Sequence, residues 1–269
     1  MGVLNCTPDS FSDGGKFITP TAALAQAHKM AKSGADIIDI GGESSRPGAM
    51  SISIQEECDR VIPIIHLLKA ELDLPISIDT RKTSVMQEAI KAGASMINDV
   101  GALQDEGAIA LAAKTGVSVC LMHAKGPSQS MQHNPFYENV VQEVFDFLKA
   151  RVNACLSAGL GREKIIIDPG FGFGKSLEHN LILLKNLAEF KKLNLPILVG
   201  LSRKSMIGDV LKSTIENRLQ GSVSAAVIAY LSGATIIRTH DIAETKDALR
   251  MAQATSAMPY QKIREEINA

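Results

Sequence analysis

Eight short apolar runs recur along the chain, each closing on a polar or charged residue and opening into a loop. They are Gly2–Asn5, Asp36–Glu43, Ile76–Asp79, Ser95–Asp99, Val117–His123, Lys164–Asp168, Ile197–Lys204 and Thr235–Asp241. Runs this short and rich in β-branched residues read as strands buried on both faces, as in parallel sheets. Helical periodicity fills the intervals. Val140, Val141, Val144, Phe147, Leu148, Val152 and Cys155 fall at spacings of three and four, predicting an amphipathic helix over Glu138–Leu156. Ser53 and Glu56 form a capping-box pattern that opens another, which Pro63 should kink or shorten.

The joints into the strands repeat too. SGAD, AGAS, TGVS, AGLG and SGAT each place a glycine just past a helix, while Pro75 and Pro196 stand at the two remaining strand entries. Loops entering strands are short, whereas 6–20, 44–53, 124–135 and 169–176, which leave them, are long and polar. A βα repeat elaborated on one rim predicts a single (β/α)8 TIM barrel over residues 1–269, with its active site at the C-terminal ends of the strands. The alternative is an open doubly wound sheet, which would want a Gly-rich first turn that Asn5–Thr7 does not offer.

Composition narrows the classes. With 269 residues, 45% hydrophobic and 21% charged, the chain has ample material for a core. A net charge of -1 without long like-charge runs argues against a nucleic-acid or membrane surface held by bulk electrostatics. The start carries no signal-peptide pattern, no apolar stretch approaches the roughly 20 residues of a membrane span, and the four cysteines are widely spaced. A cytoplasmic protein with reduced thiols is the expectation.

Asp79, Asn98 and Asp168 close apolar strands, where an unpaired carboxylate costs several kcal/mol. Helix capping or pairing with a barrel cation would explain any one of them. Taken with Asn5 and Glu43, they suggest an acceptor-rich wall for a ligand with ring N–H donors. GLSRKS and IRTHD bring Arg203, Lys204, Arg238 and His240, the last two alternating to one side of their strand. They suit a phosphate after the seventh and eighth strands, or else a surface ion-pair network; Lys204 is also a conceivable Schiff-base lysine. DPGFGFGKS is not a P-loop, because Pro169 stands where the first glycine belongs. Its glycines would let the backbone approach a ligand, with Phe171 or Phe173 either stacking on it or packing under the turn. His123, His133 and His179 lack zinc-site spacing, so any metal should be a hard cation such as Mg²⁺.

NCTPDSFSDGG, GGESSRPGA, ISIDTRK, INDV, DPGFGFGK, GLSRKSMIG and IRTHD occur in this order along the chain. In that order they resemble the dihydropteroate synthase family over nearly the whole length. The resemblance implies a (β/α)8 barrel that joins 6-hydroxymethyl-7,8-dihydropterin diphosphate to p-aminobenzoate in folate biosynthesis. It implies that Asp168, Asn98, Asp79 and Lys204 hold the pterin, and that Asn5, Arg238 and His240 hold the diphosphate. It further implies that Asn5 touches Mg²⁺, that Lys204, Arg238 and His240 serve catalysis, and that the protein is a homodimer. Phe11, Ser45, Arg46, Pro47, Phe173 and Ser205 would shape the p-aminobenzoate pocket, which makes sulfonamide sensitivity an expectation. Two departures are visible: Ser45 stands where Thr is common in the family, and Cys6 where Val is common. The family ordinarily carries a strand or hairpin ahead of Met1, so its N-terminal cap is expected to be short or missing. Two rival readings share features: a pterin-binding methyltransferase acting on a corrinoid, and an aldolase using Lys204.

Overall fold

The computed structural model describes residues 1–7, 19–44, 49–126 and 131–257. All eight predicted strands are present, several shorter than their apolar runs: β1 (Gly2–Asn5), β2 (Ile38–Gly41), β3 (Ile76–Asp79), β4 (Met96–Asp99), β5 (Ser118–Met122), β6 (Ile165–Asp168), β7 (Leu198–Gly200) and β8 (Ile236–Arg238). They are parallel. β1 to β6 pair in sequence order and β7 pairs with β8. Parallel bridges Ile167–Ile197 and Gly2–Thr239 join β6 to β7 and β8 to β1, so the strands run round a closed ring. The TIM barrel is thus the observed architecture.

Strand alternation sorts the side chains into two layers. Leu4, Ile38, Ile40, Ile78, Ile97, Val119, Ile167 and Val199 face outward into the main core against the helices. Met1, Met96, Cys120 and Leu198, with Ile37, Ile166 and Ile236, form a second apolar cluster inside the ring. Roughly 1.5–3 kcal/mol per fully buried large apolar side chain comes mainly from the outer layer. The upper rim of the lumen can therefore carry charge without unfolding the barrel.

The helices around the ring are α1 (Pro20–Lys32), α2 (Ile54–Glu71), α3 (Thr83–Ala92), α4 (Ala108–Thr115), α5 (Val140–Ser157), α6 (Leu177–Lys185), α7 (Ser205–Leu211), α8 (Leu219–Leu231) and α9 (Ile242–Ser256). Ser53 caps α2 by accepting from the Glu56 N–H, but the Glu56 carboxylate pairs with Arg60, so half of the expected box forms. The helix runs on through Pro63 to Glu71 and is not shortened. Gly34, Gly93, Gly116, Gly159 and Gly233 all have positive φ at the predicted joints. Among the described residues, no helix is long and apolar enough to cross a membrane.

Candidate active site

The same alternation that fills the lower lumen with apolar groups lifts polar ones to the C-terminal rim. Asn5, Asp79, Asn98, Asp168 and Arg238 are the last residues, or nearly the last, of their strands, and they converge there. β2 and β7 end at this level in Gly41 and Gly200, which leave room above the lumen. A Cβ on Gly41 would lie 3.9 Å from both Asn5 Oδ1 and Asp79 Oδ2, and one on Gly200 would lie 4.0 Å from Lys204 Nζ.

Arg238 crosses the lumen. Its Nε donates to Asp39 Oδ2 at 2.6 Å and its Nη2 to Asp79 Oδ2 at 2.9 Å. Burial alone would lower its pKa, but Asp39 and Asp79 outweigh it and hold the guanidinium above its ordinary value. Burial pushes Asp79 up to about 7 against the pull of Arg238, with Asp39 adding to the rise. Asn98 donates its Nδ2 to the same Asp39 oxygen at 3.1 Å. Its Oδ1 is buried and finds no partner among the described residues.

Asp168 is buried at the end of β6, and its Oδ1 accepts from the Gly170 N–H at 2.7 Å. Burial raises its pKa, opposed by Lys204 and that N–H. Lys204 donates to the Phe171 carbonyl and lies over the Phe173 ring, 4.6 Å from its centroid. Burial lowers Lys204 to about 8, with Asp168 holding it up. The wall thus offers carboxylate and amide acceptors beside two half-buried cations, which suits a planar ligand with several donors and an anionic arm.

The loop after β6 departs from its expectation. Gly170 and Gly174, both at positive φ, do not open the backbone to a ligand. A Cβ would meet His123 O at 1.8 Å and Lys125 O at 2.2 Å, so the close approach is to the chain itself. Gly172 alone faces the site, 3.3 Å from Lys204 Cδ by the same measure. Phe171 is wholly buried beneath the turn and Phe173 takes the site side. Lys175, the lysine of the GKS lookalike, is buried and pins the loop. Its Nζ lies 2.8 Å from Gly170 O, 3.1 Å from Phe173 O and 2.9 Å from His123 Nδ1. Burial and then Lys175 push His123 down to about 3, so the ring stays neutral as a structural partner. His179 caps α6 with Ser176.

Other expectations separate. β8 ends at Arg238, so His240 does not share its side of a strand. It stands exposed on the rim, its Nδ1 3.0 Å from Ser202 Oγ. Arg203 is drawn into a two-armed ion pair with Asp241, the surface alternative foreseen for this cluster. Ser205 opens α7 at the rim, exposed, one residue past Lys204. Glu43 faces away from the wall: Lys82 and the Ile52 N–H hold it, and with Arg81 they outweigh burial and lower its pKa. Phe11, Ser45, Arg46 and Pro47 lie outside the described residues. Asp39 is the residue that sequence reasoning missed. Its signal was present: in Ile37-Ile38-Asp39-Ile40-Gly41 it shares the parity of the lumen-facing positions.

The pterin binding enzyme family model matches residues 1–240, which spans all eight strands. The chain belongs to the pterin-binding enzyme family. Among curated members, it is 52% identical to the dihydropteroate synthase of Haemophilus influenzae, over 95% of this chain and 93% of that one. It is 49% identical to that of Escherichia coli K12, over 95% and 90%. The crystal structure of Yersinia pestis dihydropteroate synthase with a sulfonamide drug complex superposes with a TM-score of 0.92 at 48% identity, covering 96% of this chain and 94% of that one. The Xanthomonas albilineans enzyme in complex with 7,8-dihydropteroate gives 0.87 at 44%, covering 96% and 93%. As a pterin-binding enzyme, the chain has a wall whose acceptors suit the donor edge of the family's heterocycle. Neither rival chemistry, methyl transfer or a Schiff-base aldol, finds a namesake among these relatives.

Proposed function

We propose that this pterin-binding enzyme is a transferase joining 6-hydroxymethyl-7,8-dihydropterin diphosphate to p-aminobenzoate, with release of diphosphate and 7,8-dihydropteroate. The observation that carries the reading is the row of buried Asn98 and Asp168 with half-buried Asp79, beside Lys204 and Arg238. In this reading Asp168 accepts from the ring N–H and 2-amino donors, Asn98 and Asp79 take the remaining ring nitrogens, and Lys204 donates to the ring's carbonyl side. Arg238 and His240, one deep and one on the rim, offset the charge of the diphosphate with Asn5. Phe173 and Ser205, together with Phe11, Ser45, Arg46 and Pro47, are assigned to p-aminobenzoate on the family resemblance.

The chemistry needs no enzymic nucleophile. The carbon–oxygen bond to diphosphate breaks with its electron pair going to the leaving oxygen, where Arg238 and His240 lower the barrier electrostatically. The aniline nitrogen then forms the carbon–nitrogen bond and loses a proton. Residues positioned on rigid strand ends hold the pterin ready for that attack. Asn5 Oδ1 and the Asp79 carboxylate flank the bare face of Gly41, and the described residues hold no cluster of three or more His, Cys, Asp or Glu able to bind a metal. With Asp79 Oδ2 engaged by Arg238, Asn5 Oδ1 is the oxygen that suits a hard cation held largely by ligand phosphates, so Mg²⁺ fits. When bound, it would neutralise the leaving diphosphate.

The test is direct. Purified protein with Mg²⁺, the pterin diphosphate and p-aminobenzoate should yield diphosphate and dihydropteroate in equal amounts; folded protein that forms neither defeats the reading. A homodimer belongs to the same proposal. Exposed Leu181, Ile182, Val210, Leu211, Ile228 and Leu231 on α6, α7 and α8 supply apolar surface for a second copy. The four free cysteines suit the cytoplasmic setting proposed with it.

A further inference from the structure

Asp39 lies below the open rim and meets it only through two of the rim's residues. It is wholly buried one step below Gly41 on β2, and one of its oxygens, Oδ2, receives both Arg238 Nε from β8 and Asn98 Nδ2 from β4. We propose that Asp39 is a positioning residue that decides which atom of Asn98 meets the substrate. The argument is one of donor and acceptor capacity. A carboxylate only accepts, whereas an amide carries one donor group and one acceptor. With Nδ2 committed to Asp39, Oδ1 is the atom left to face the lumen, and it is buried without a partner among the described residues. A reversed amide would set Oδ1 against Asp39 Oδ2 and present a donor to the ligand.

The consequence is specificity. Asp79 and Asp168 present acceptors on either side of Asn98, and the orientation imposed by Asp39 makes Asn98 a third. The ligand must then bring a donor to all three, as the N3–H, 2-amino and N8–H groups of a 7,8-dihydropterin do. A heterocycle with an acceptor at the Asn98 position would leave two buried acceptors face to face, which costs far more than a missing contact. Because Arg238 shares the same oxygen, Asp39 also fixes where its guanidinium ends against Asp79. This inference rests on the pterin reading of the site.

The experiment compares wild type, Asp39→Asn and the exchange Asp39→Asn/Asn98→Asp in steady-state assays with both substrates and Mg²⁺. In the single variant the introduced amide removes the carboxylate that fixes Asn98, and the pterin KM should rise about tenfold or more. The p-aminobenzoate KM should stay within about twofold. In the exchange, the side chain at 39 turns so that its oxygen accepts from Arg238 while its NH2 donates to the carboxylate at 98, which leaves that carboxylate's other oxygen facing the lumen. The pterin KM should return most of the way.

A purely structural role for Asp39 would lower stability and disturb both substrates, without rescue. A folded single variant with the wild-type pterin KM overturns the proposal, as does an exchange no better than the single variant. Should Asp39→Asn not fold, side-chain amide exchange in the wild-type protein decides. The Asn98 NH2 protons should be protected in the free enzyme and remain so with 6-hydroxymethylpterin bound; rapid exchange in the free enzyme overturns it. A wild type that forms no dihydropteroate defeats the substrate reading instead, while the exchange measurement still judges the amide's orientation.

Discussion

Lys204 combines burial with a working charge, and the combination makes it a pH-sensitive group of the site. Burial lowers it to about 8, and Asp168 keeps it from falling further. As pH rises through that value, the ammonium loses its proton and the site loses one of its two half-buried cations. We expect kcat/KM for the pterin substrate to fall with an apparent midpoint near 8, since that ratio reports the free enzyme. Lys204→Arg should move the alkaline limb upward beyond the measurable range, whatever it costs in rate. An unchanged limb in that variant would place the titration elsewhere. At this scale the sequence was readable where burial made polarity expensive. Asp79, Asn98 and Asp168 stand out because an acid or amide ending an apolar run needs a partner or a ligand. Asp39 did not, because its value lies in two partners contributed by β4 and β8. His123 and Lys175 likewise find each other only when β5 and the loop after β6 are laid side by side.

Elements set the precision with which those residues are held, and the loop after β4 shows how. Asn98 turns inward, and its neighbour Asp99 turns outward to bind the loop. The Asp99 carboxylate accepts from the Gly101 and Leu103 N–H groups at 2.6 Å each. This folds Ala102 and Leu103 into the left-handed region, and Arg151 of α5 donates to both of their carbonyls. Asp99→Ala would leave two N–H groups without their acceptor and the strained turn without its staple. We expect a loss of roughly 2–4 kcal/mol, read by denaturant unfolding, together with a weaker hold on the pterin through Asn98. Element type and order were legible from alternating periodicities and from the glycines at helix ends. Element length was less so. β8 stops at Arg238, three residues short of its polar run, and that early end separates His240 from Arg238. α2 passes through Pro63, because packing of Val61, Ile64, Ile65 and Leu68 outweighs one missing backbone bond.

At the scale of the whole molecule, a closed ring brings residues from the two ends of the chain to one point, and its outer surface remains free for assembly. If α6, α7 and α8 meet a second copy, sedimentation should give twice the mass of one chain, and Val210→Asp with Leu231→Asp should return it to one. A single-chain mass for the unmodified protein would remove the homodimer. What the sequence by itself determined was local: eight βα units, parallel strands buried on both faces, a decorated C-terminal rim, and acids and amides waiting at strand ends. Those follow from periodicity and from the cost of burying polarity, which neighbours in the chain already express. Tertiary structure alone decided the rest. Arg238 meets Asp39 across 199 residues, Asn98 is turned by that same carboxylate, and Lys175 grips the Gly170 and Phe173 carbonyls beside His123. The physical reason is that a hydrogen bond needs its two partners within about 3 Å, and only closure of the barrel brings groups so far apart in sequence to that distance.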